Sequence, residues 1–232
     1  MTKVQGWDIS LNHSGIVELT DGALSNFWFV SDKHTLEKNL KEHLWHLPLK
    51  QIKKDHGDWQ LFSLYRLLVW ENMLSSMLDL HHPDYVAIED YALGKVRRSH
   101  YIGEIGAIAR MVCFRKRIPL RLYDPFSVKM FSADHGHADK FMMGRAIKKK
   151  WGVDFRPYDP TSKANNTEVS EDLYDAYGIA KLLWTEVSLR KGEVLLNSLA
   201  EKQIRVFNRT TKLYPINILG RGWLVQGEED EL

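Results

Sequence analysis

Residues 3–30 read KVQGWDISLNHSGIVELTDGALSNFWFV. Three apolar runs, at 3–10, 14–20 and 24–30, are broken by NHSG and TDG, both good turn chemistry. Breaks this short join neighbouring strands as antiparallel hairpins, so the chain is expected to open with a three-stranded meander. The first run carries an acid, Asp8, in VQGWDIS. A carboxylate inside a strand is costly to desolvate unless it has a partner. The bland reading of Asp8 alone is a strand-end residue bonding nearby amides.

Working outward, residues 32–58 are polar, rich in Lys and His, and weakly patterned. They read as an insertion or a loosely helical connection. Residues 59–80 predict a helix, with Leu61, Leu64, Leu68, Met73 and Met77 close to one face. Pro83 in HHPD stops it, because proline disfavours helix before it. Residues 85–89, YVAIE, form a short apolar run, as expected when both faces of a parallel sheet are covered. Helices follow at 100–117, 125–131, 138–151 and 171–189, with a second buried strand at 118–123 and a polar loop at 153–169. The last helix carries Leu173, Ala176, Ile179, Ala180 and Leu183 on its apolar side. The pattern predicts an α/β fold: a mixed sheet of five strands, three antiparallel and then parallel ones, with helices on both faces. Residues 1–190 are expected to form one domain with the insertion near 32–58. Residues 191–232 form a C-terminal extension with weaker patterning and an acidic end at 228–231, expected to fray.

The 232 residues are enough to bury a full core. No apolar run approaches a membrane span, and the N-terminus lacks a basic start followed by an apolar stretch. Cys113 is the single cysteine, so neither an intramolecular disulfide nor a cysteine-based zinc site is expected. A cytoplasmic location is the simplest expectation. The net charge of +2 hides an asymmetry: Lys95–Lys150 holds 14 Lys and Arg against 4 Asp and Glu. A basic block of this kind suits nucleic acid, although charge runs alone usually mark solvated helix faces.

That block lies between acids. Glu89 follows Val86-Ala87-Ile88 directly, at the carboxyl end of a strand, where sites collect in open α/β sheets. Asp90 beside it is expected to point the other way and to be solvated. Asp172 and Asp175, three apart in SEDLYDAYGIAKLL, share one helix face. Glu171 reads as a first-turn acid favoured by the helix dipole. Two carboxylates 4 Å apart repel by about 4 kcal/mol at an effective dielectric of about 20. Gathering several of them serves divalent cations, and two Mg²⁺ about 3.5–4 Å apart can clamp a scissile phosphate. The expected chemistry is a metal-dependent nuclease.

The chain resembles the RuvC-type Holliday junction resolvases of the RNase H-like superfamily. The likeness rests on GWDISLNHSG, HPDYVAIEDYA, YIGEIGAIARMV, YDPFSVKMFSADHGHADK and EDLYDAYGIA, in this order from residue 3 to 186. It implies an RNase H-like sheet and an Mg²⁺-dependent endodeoxyribonuclease of DNA recombination and repair. Two Mg²⁺ per site, replaceable by Mn²⁺, would be held by Asp8, Glu89, Asp172 and Asp175. Lys140 matches a catalytic basic position and Lys129 a second basic position. Tyr91, Lys95, Arg97 and Arg98, with Lys129 and Lys140, are the expected nucleic-acid contacts. The family further implies a homodimer on a four-way junction, leaving 5′-phosphate and 3′-hydroxyl ends. Two departures stand out. Ile9-Ser10 replaces the Pro-Gly common after the first acid, and Ala92 stands where members place a junction-opening aromatic. The alternatives are a related nuclease acting on flaps, other branched DNA or RNA–DNA hybrids, and a catalytically silent nucleic-acid-binding scaffold.

Overall fold

The strands β1 (Lys3–Asp8), β2 (His13–Thr20) and β3 (Ala23–Ser31) form the expected meander in the computed structural model, which describes residues 1–11, 13–33, 36–90, 99–158 and 168–224. The β2–β3 turn is Asp21-Gly22, with φ of 49° and 81°. Two consecutive positive φ angles are what a tight two-residue hairpin requires, and Asp-Gly tolerates them. β5 (Tyr85–Glu89) joins β1 in parallel from Val4–Tyr85 to Trp7–Ile88, and β6 (Leu120–Tyr123) joins β5 in parallel.

The sheet has six strands rather than the expected five. β4 (Leu44–His46) pairs in parallel with β3, giving the order β4-β3-β2-β1-β5-β6. It comes from the polar stretch 32–58, which also holds α1 (Glu37–Leu40) and α2 (Leu49–Asp55). A three-residue strand is too short to show alternation. Its surroundings are still anchored, since Leu36, Leu40, Leu47 and Leu49 are buried.

One face of the sheet is covered by α3 (Trp59–His81) and α4 (Ser99–Arg115), which pack on Trp7, Ile16, Trp28, Val86 and Ile88. Asp58 caps α3 by accepting from the Gln60 and Leu61 amides, and left-handed His82 before Pro83 ends it. The apolar face read from the sequence is corrected here. Met73 and Met77 are buried with Trp70, Leu74 and Leu78, but Leu61, Leu64 and Leu68 are 47%, 52% and 42% exposed. The helix is apolar on two sides, so period alone does not say which side meets the sheet.

The other face carries α5 (Pro125–Ala133), α6 (Lys140–Trp151), α7 (Glu168–Arg190) and α8 (Glu201–Asn208). α7 lies across β1 and β2, burying the five expected residues Leu173, Ala176, Ile179, Ala180 and Leu183. Gly6 permits this approach, since a Cβ there would lie 2.3 Å from the Ala180 amide nitrogen. Among the described residues no helix is long and apolar enough to cross a membrane.

Candidate active site

Strand alternation sends Val4, Gly6 and Asp8 toward α7, and Tyr85, Ala87 and Glu89 likewise. The β1–β5 ladder ends at Trp7–Ile88, so Asp8 and Glu89 close neighbouring parallel strands on one face. Above them runs the amino-terminal half of α7, with Asp172 and Asp175 on adjacent turns. Asp8 pairs with Gly15 across β1–β2. A Cβ on Gly15 would lie 2.3 Å from the Asp172 carbonyl oxygen. The missing side chain therefore lets the helix bring Asp172 down onto the sheet beside Asp8. Gly15→Ala should force α7 outward and destabilise the protein by about 1–3 kcal/mol, measured by denaturant unfolding. An unchanged midpoint would mean that α7 does not rest on this contact.

The four sequence-derived carboxylates are thus brought together. Burial raises the affinity of Asp8 for a proton well above the ordinary carboxylate range, and the charges of Asp172, Asp175 and Glu89 add to it. Glu89 is pushed up to about 8, first by burial and then by Asp175, with Lys129 opposing. Asp175 is pushed up to about 6 by burial, against the pull of Lys140 and Lys129. Such shifts mark a site short of positive charge.

Lys140, the first residue of α6, lies 3.0 Å from Glu171 Oε2 and 3.5 Å from Asp172 Oδ1. Burial alone would lower its proton affinity. The Glu171 hydrogen bond and the Asp172 charge outweigh that and raise it, so the ammonium persists. Glu171 is therefore more than a first-turn acid. Lys129, in α5, exerts its charge on both Glu89 and Asp175.

Three features were missed in the sequence. His13 Nδ1 hydrogen-bonds Asp172 Oδ2, at the start of β2. Asp90, expected to be solvated, instead accepts from the Tyr214 hydroxyl. Asp124 caps α5 through the Ser127 amide and also meets Arg209 Nη1 at 2.6 Å. An acid-plus-Ser/Thr/Pro signal announces the cap of α5, but nothing local announces Tyr214 or Arg209. Tyr91, Ala92, Lys95, Arg97 and Arg98 lie outside the described residues. The acidic tail at 228–231 does too.

The donor set is all carboxylate oxygen near the sheet, with an imidazole at its rim, and suits hard divalent cations. Among the described residues, no three His, Cys, Asp or Glu side chains converge closely enough to hold an ion. Of the four carboxylates, Asp172 is the one engaged by both Lys140 and His13. Both Asp172 oxygens are thus engaged by side chains of the protein itself. The donor chemistry, four carboxylates, fits Mg²⁺.

Among the described residues the basic block does not form a single surface. Arg121 is buried in an ion pair with Glu186 at 2.5 Å. Arg115 and Lys116 pair with Glu71 and Asp79, at the end of the fold opposite the carboxylates. Lys129 and Lys140 lie at the site, and α6 continues with exposed Arg145, Lys148, Lys149 and Lys150, of which Lys148 and Lys150 pair with Asp154 and Asp134.

No protein-family model matches the chain. A crossover junction endodeoxyribonuclease RuvC of Streptomyces griseus is 32% identical over 93 residues, covering 40% of this chain and 46% of the relative. A RuvC of Caldicellulosiruptor saccharolyticus is 30% identical over 89 residues, covering 38% and 54%. The chain spans about half the length of the curated relatives it matches. The solved Thermus thermophilus RuvC structure aligns with a TM-score of 0.52 at 20% identity, over 82% of this chain and 97% of that one. The fold is therefore that of the Thermus thermophilus RuvC structure. The sequence relatives support the RuvC-type resemblance independently.

Proposed function

We propose that this protein is a metal-dependent, structure-specific DNA endonuclease that resolves four-way junctions by paired phosphodiester hydrolysis. The observation that carries this reading is the gathering of Asp8, Glu89, Asp172 and Asp175 from three elements onto one face. Support also comes from the Thermus thermophilus RuvC structure solved in complex with a Holliday junction substrate, aligned with a TM-score of 0.52 over 78% of this chain.

The four carboxylates would hold two Mg²⁺, or Mn²⁺ in their place, and ions bound there polarise the scissile phosphate and lower the pKa of a water. Lys140 stays charged beside Glu171 and Asp172 and stabilises negative charge growing on the phosphate oxygens. Lys129 holds the phosphate from the β5 side. Breaking the bond from phosphorus to the 3′ oxygen leaves a 5′-phosphate and a 3′-hydroxyl. Lys129 and α6 supply the basic surface that follows the backbone.

Paired cleavage needs two copies of the site. The outward side of α3, with Leu61, Leu64 and Leu68, and the exposed Met111 and Phe114 of α4 offer apolar area that a second copy would cover. Leu64→Arg should shift the protein from dimer to monomer in analytical ultracentrifugation. A wild type that is monomeric both free and on DNA would sink the paired mechanism.

The direct test is cleavage of a 5′-labelled four-way junction with Mg²⁺. Symmetric nicks are expected. Cleavage confined to flaps or RNA–DNA hybrids would move the protein to a related nuclease class. Tight junction binding without cleavage would make it a scaffold.

A further inference from the structure

Residues 201–224 had no role in the sequence reading, and they do not hang free. Val206 and Phe207 of α8 are buried, with Phe207 6.2 Å from Phe131 of α5, ring to ring. The chain then crosses the carboxyl ends of the strands. Arg209 leaves α8 and lies over the Phe126 ring at 4.3 Å. Its Nη1 donates to Asp124 Oδ1 at 2.6 Å and to Ser127 Oγ at 3.0 Å. A tight turn follows, closed by the Thr211 amide donating to the Tyr214 carbonyl at 2.7 Å. The Tyr214 hydroxyl donates to Asp90.

The far end is fastened to the opposite end of β6. The Arg221 guanidinium covers the Tyr214 ring at 4.4 Å. The Arg221 and Gly222 carbonyls accept from Arg121 at 3.2 and 2.7 Å. Arg121 is itself fixed by buried Glu186. Trp223 packs on Tyr85 at 5.0 Å, and the Leu224 amide donates to the Leu120 carbonyl at 3.2 Å. The segment is a strap with both ends tied to the sheet and its helices.

What the strap grips is specific. Asp90 is the residue after Glu89. Asp124 starts α5, the helix that presents Lys129 one turn on. Glu89 and Lys129 are electrostatic neighbours across this gap. We propose that Arg209 and Tyr214 are positioning residues, which set Glu89 against Lys129 by clamping the end of β5 and the start of α5. This rests on the nuclease reading above. It explains why two acids beside the site carry donors from far along the chain. The Asp90 amide already donates to the Tyr123 carbonyl at 2.8 Å, which holds the backbone; the clamp adds the side-chain tie to the strap, and without it the carboxylate before Asp90 would be aimed less firmly. Misplacing a ligand by a fraction of its bond length suffices to weaken a cation site.

The test uses the full chain and Mn²⁺ alone, titrated by calorimetry, alongside junction cleavage and thermal melting. Tyr214→Phe keeps the ring under Arg221 and removes one hydroxyl. It should weaken Mn²⁺ binding and lower kcat by about 10–100-fold each, with KM for the junction and the melting temperature unchanged. Asp90→Ala should do the same, and the double variant should be no worse than either single one, because both cut the same bond. Asp90→Asn keeps an acceptor for Tyr214 and should retain wild-type binding. Arg209→Gln, which leaves Asp124 bonded to Ser127, is the second clamp variant and should act in the same direction. Wild-type Mn²⁺ affinity in both Tyr214→Phe and Arg209→Gln would overturn the clamp. So would a loss that Asp90→Ala compounds instead of sharing. A wild type that binds no Mn²⁺ would overturn the nuclease reading beneath it, a separate and recognisable failure.

Discussion

Asp8→Asn and Glu89→Gln are each expected to reduce cleavage of a four-way junction by at least roughly 10²–10³-fold while leaving junction binding within a few-fold of wild type. Each change keeps size and removes one negative charge. Asp8 faces Asp172, Asp175 and Glu89, so losing its charge weakens cation binding at the centre of the cluster. Glu89 is the one member of the set on β5, and its partners across the gap are Lys129 and Asp175. DNA affinity comes instead from lysines and arginines on the surface, which neither change touches. Quantitative cleavage of a labelled junction, with binding measured in Ca²⁺, checks both halves. Cleavage within threefold of wild type in either variant would remove that residue from the site. Loss of binding together with cleavage would mean that the change had disturbed the fold.

The second large effect concerns stability without metal. The folded protein holds the Glu89 proton up to about pH 8, against an ordinary value near 4.5, chiefly because of burial. Asp175 is raised to about 6 and Asp8 is raised as well, both first by burial. A folded value above the unfolded one means that the folded state binds the proton more tightly. The stabilisation is full below the unfolded value and is lost as pH rises through the folded one. Metal-free protein should therefore weaken between pH 5 and 8, by something on the order of 3 kcal/mol from Glu89 alone. Asp154 acts with the opposite sign, held low by Arg156, but its effect falls below the ordinary carboxylate range and outside this window.

Glu89→Gln removes the Glu89 contribution altogether. At pH 8 without metal it should melt higher than wild type, by about 5–10 °C for a chain of this size. Wild type should recover when cation is added, by about 2.7 kcal/mol at a hundredfold excess over Kd, and the variant should gain much less. Thermal melts at pH 5 and pH 8, with and without Mg²⁺, contain the whole comparison. Flat melting of metal-free wild type across that range, or a variant that melts lower at pH 8, would refute the account of buried carboxylates that weaken the fold as they ionise.

The acids were legible because local patterns reveal them. Asp8 and Glu89 interrupt or end apolar strands, and Asp172 and Asp175 are three apart on an amphipathic helix, so each stands out against its own neighbours. The paired faces of β1, β5 and α7 then follow from periods of two and 3.6. The same periodicity misled on α3, where Leu61, Leu64 and Leu68 proved exposed and Met73 and Met77 buried. Apolar spacing says that a helix has an apolar side. It does not say which of two apolar sides a neighbour takes. β4 was missed because three residues give no measurable period.

The sequence by itself determined the mixed sheet, the five strands other than β4 and the choice of four candidate carboxylates, since each depends on residues a few positions apart. Only the tertiary structure decided what stands around them. Tyr214 reaches Asp90 across 124 residues, Arg209 reaches Asp124 across 85, and His13 reaches Asp172 across 159. Contacts at such separations leave no local periodicity. They are decided by how helices pack on the sheet, where a bare Gly15 and Gly6 let α7 settle and so determine which charges meet.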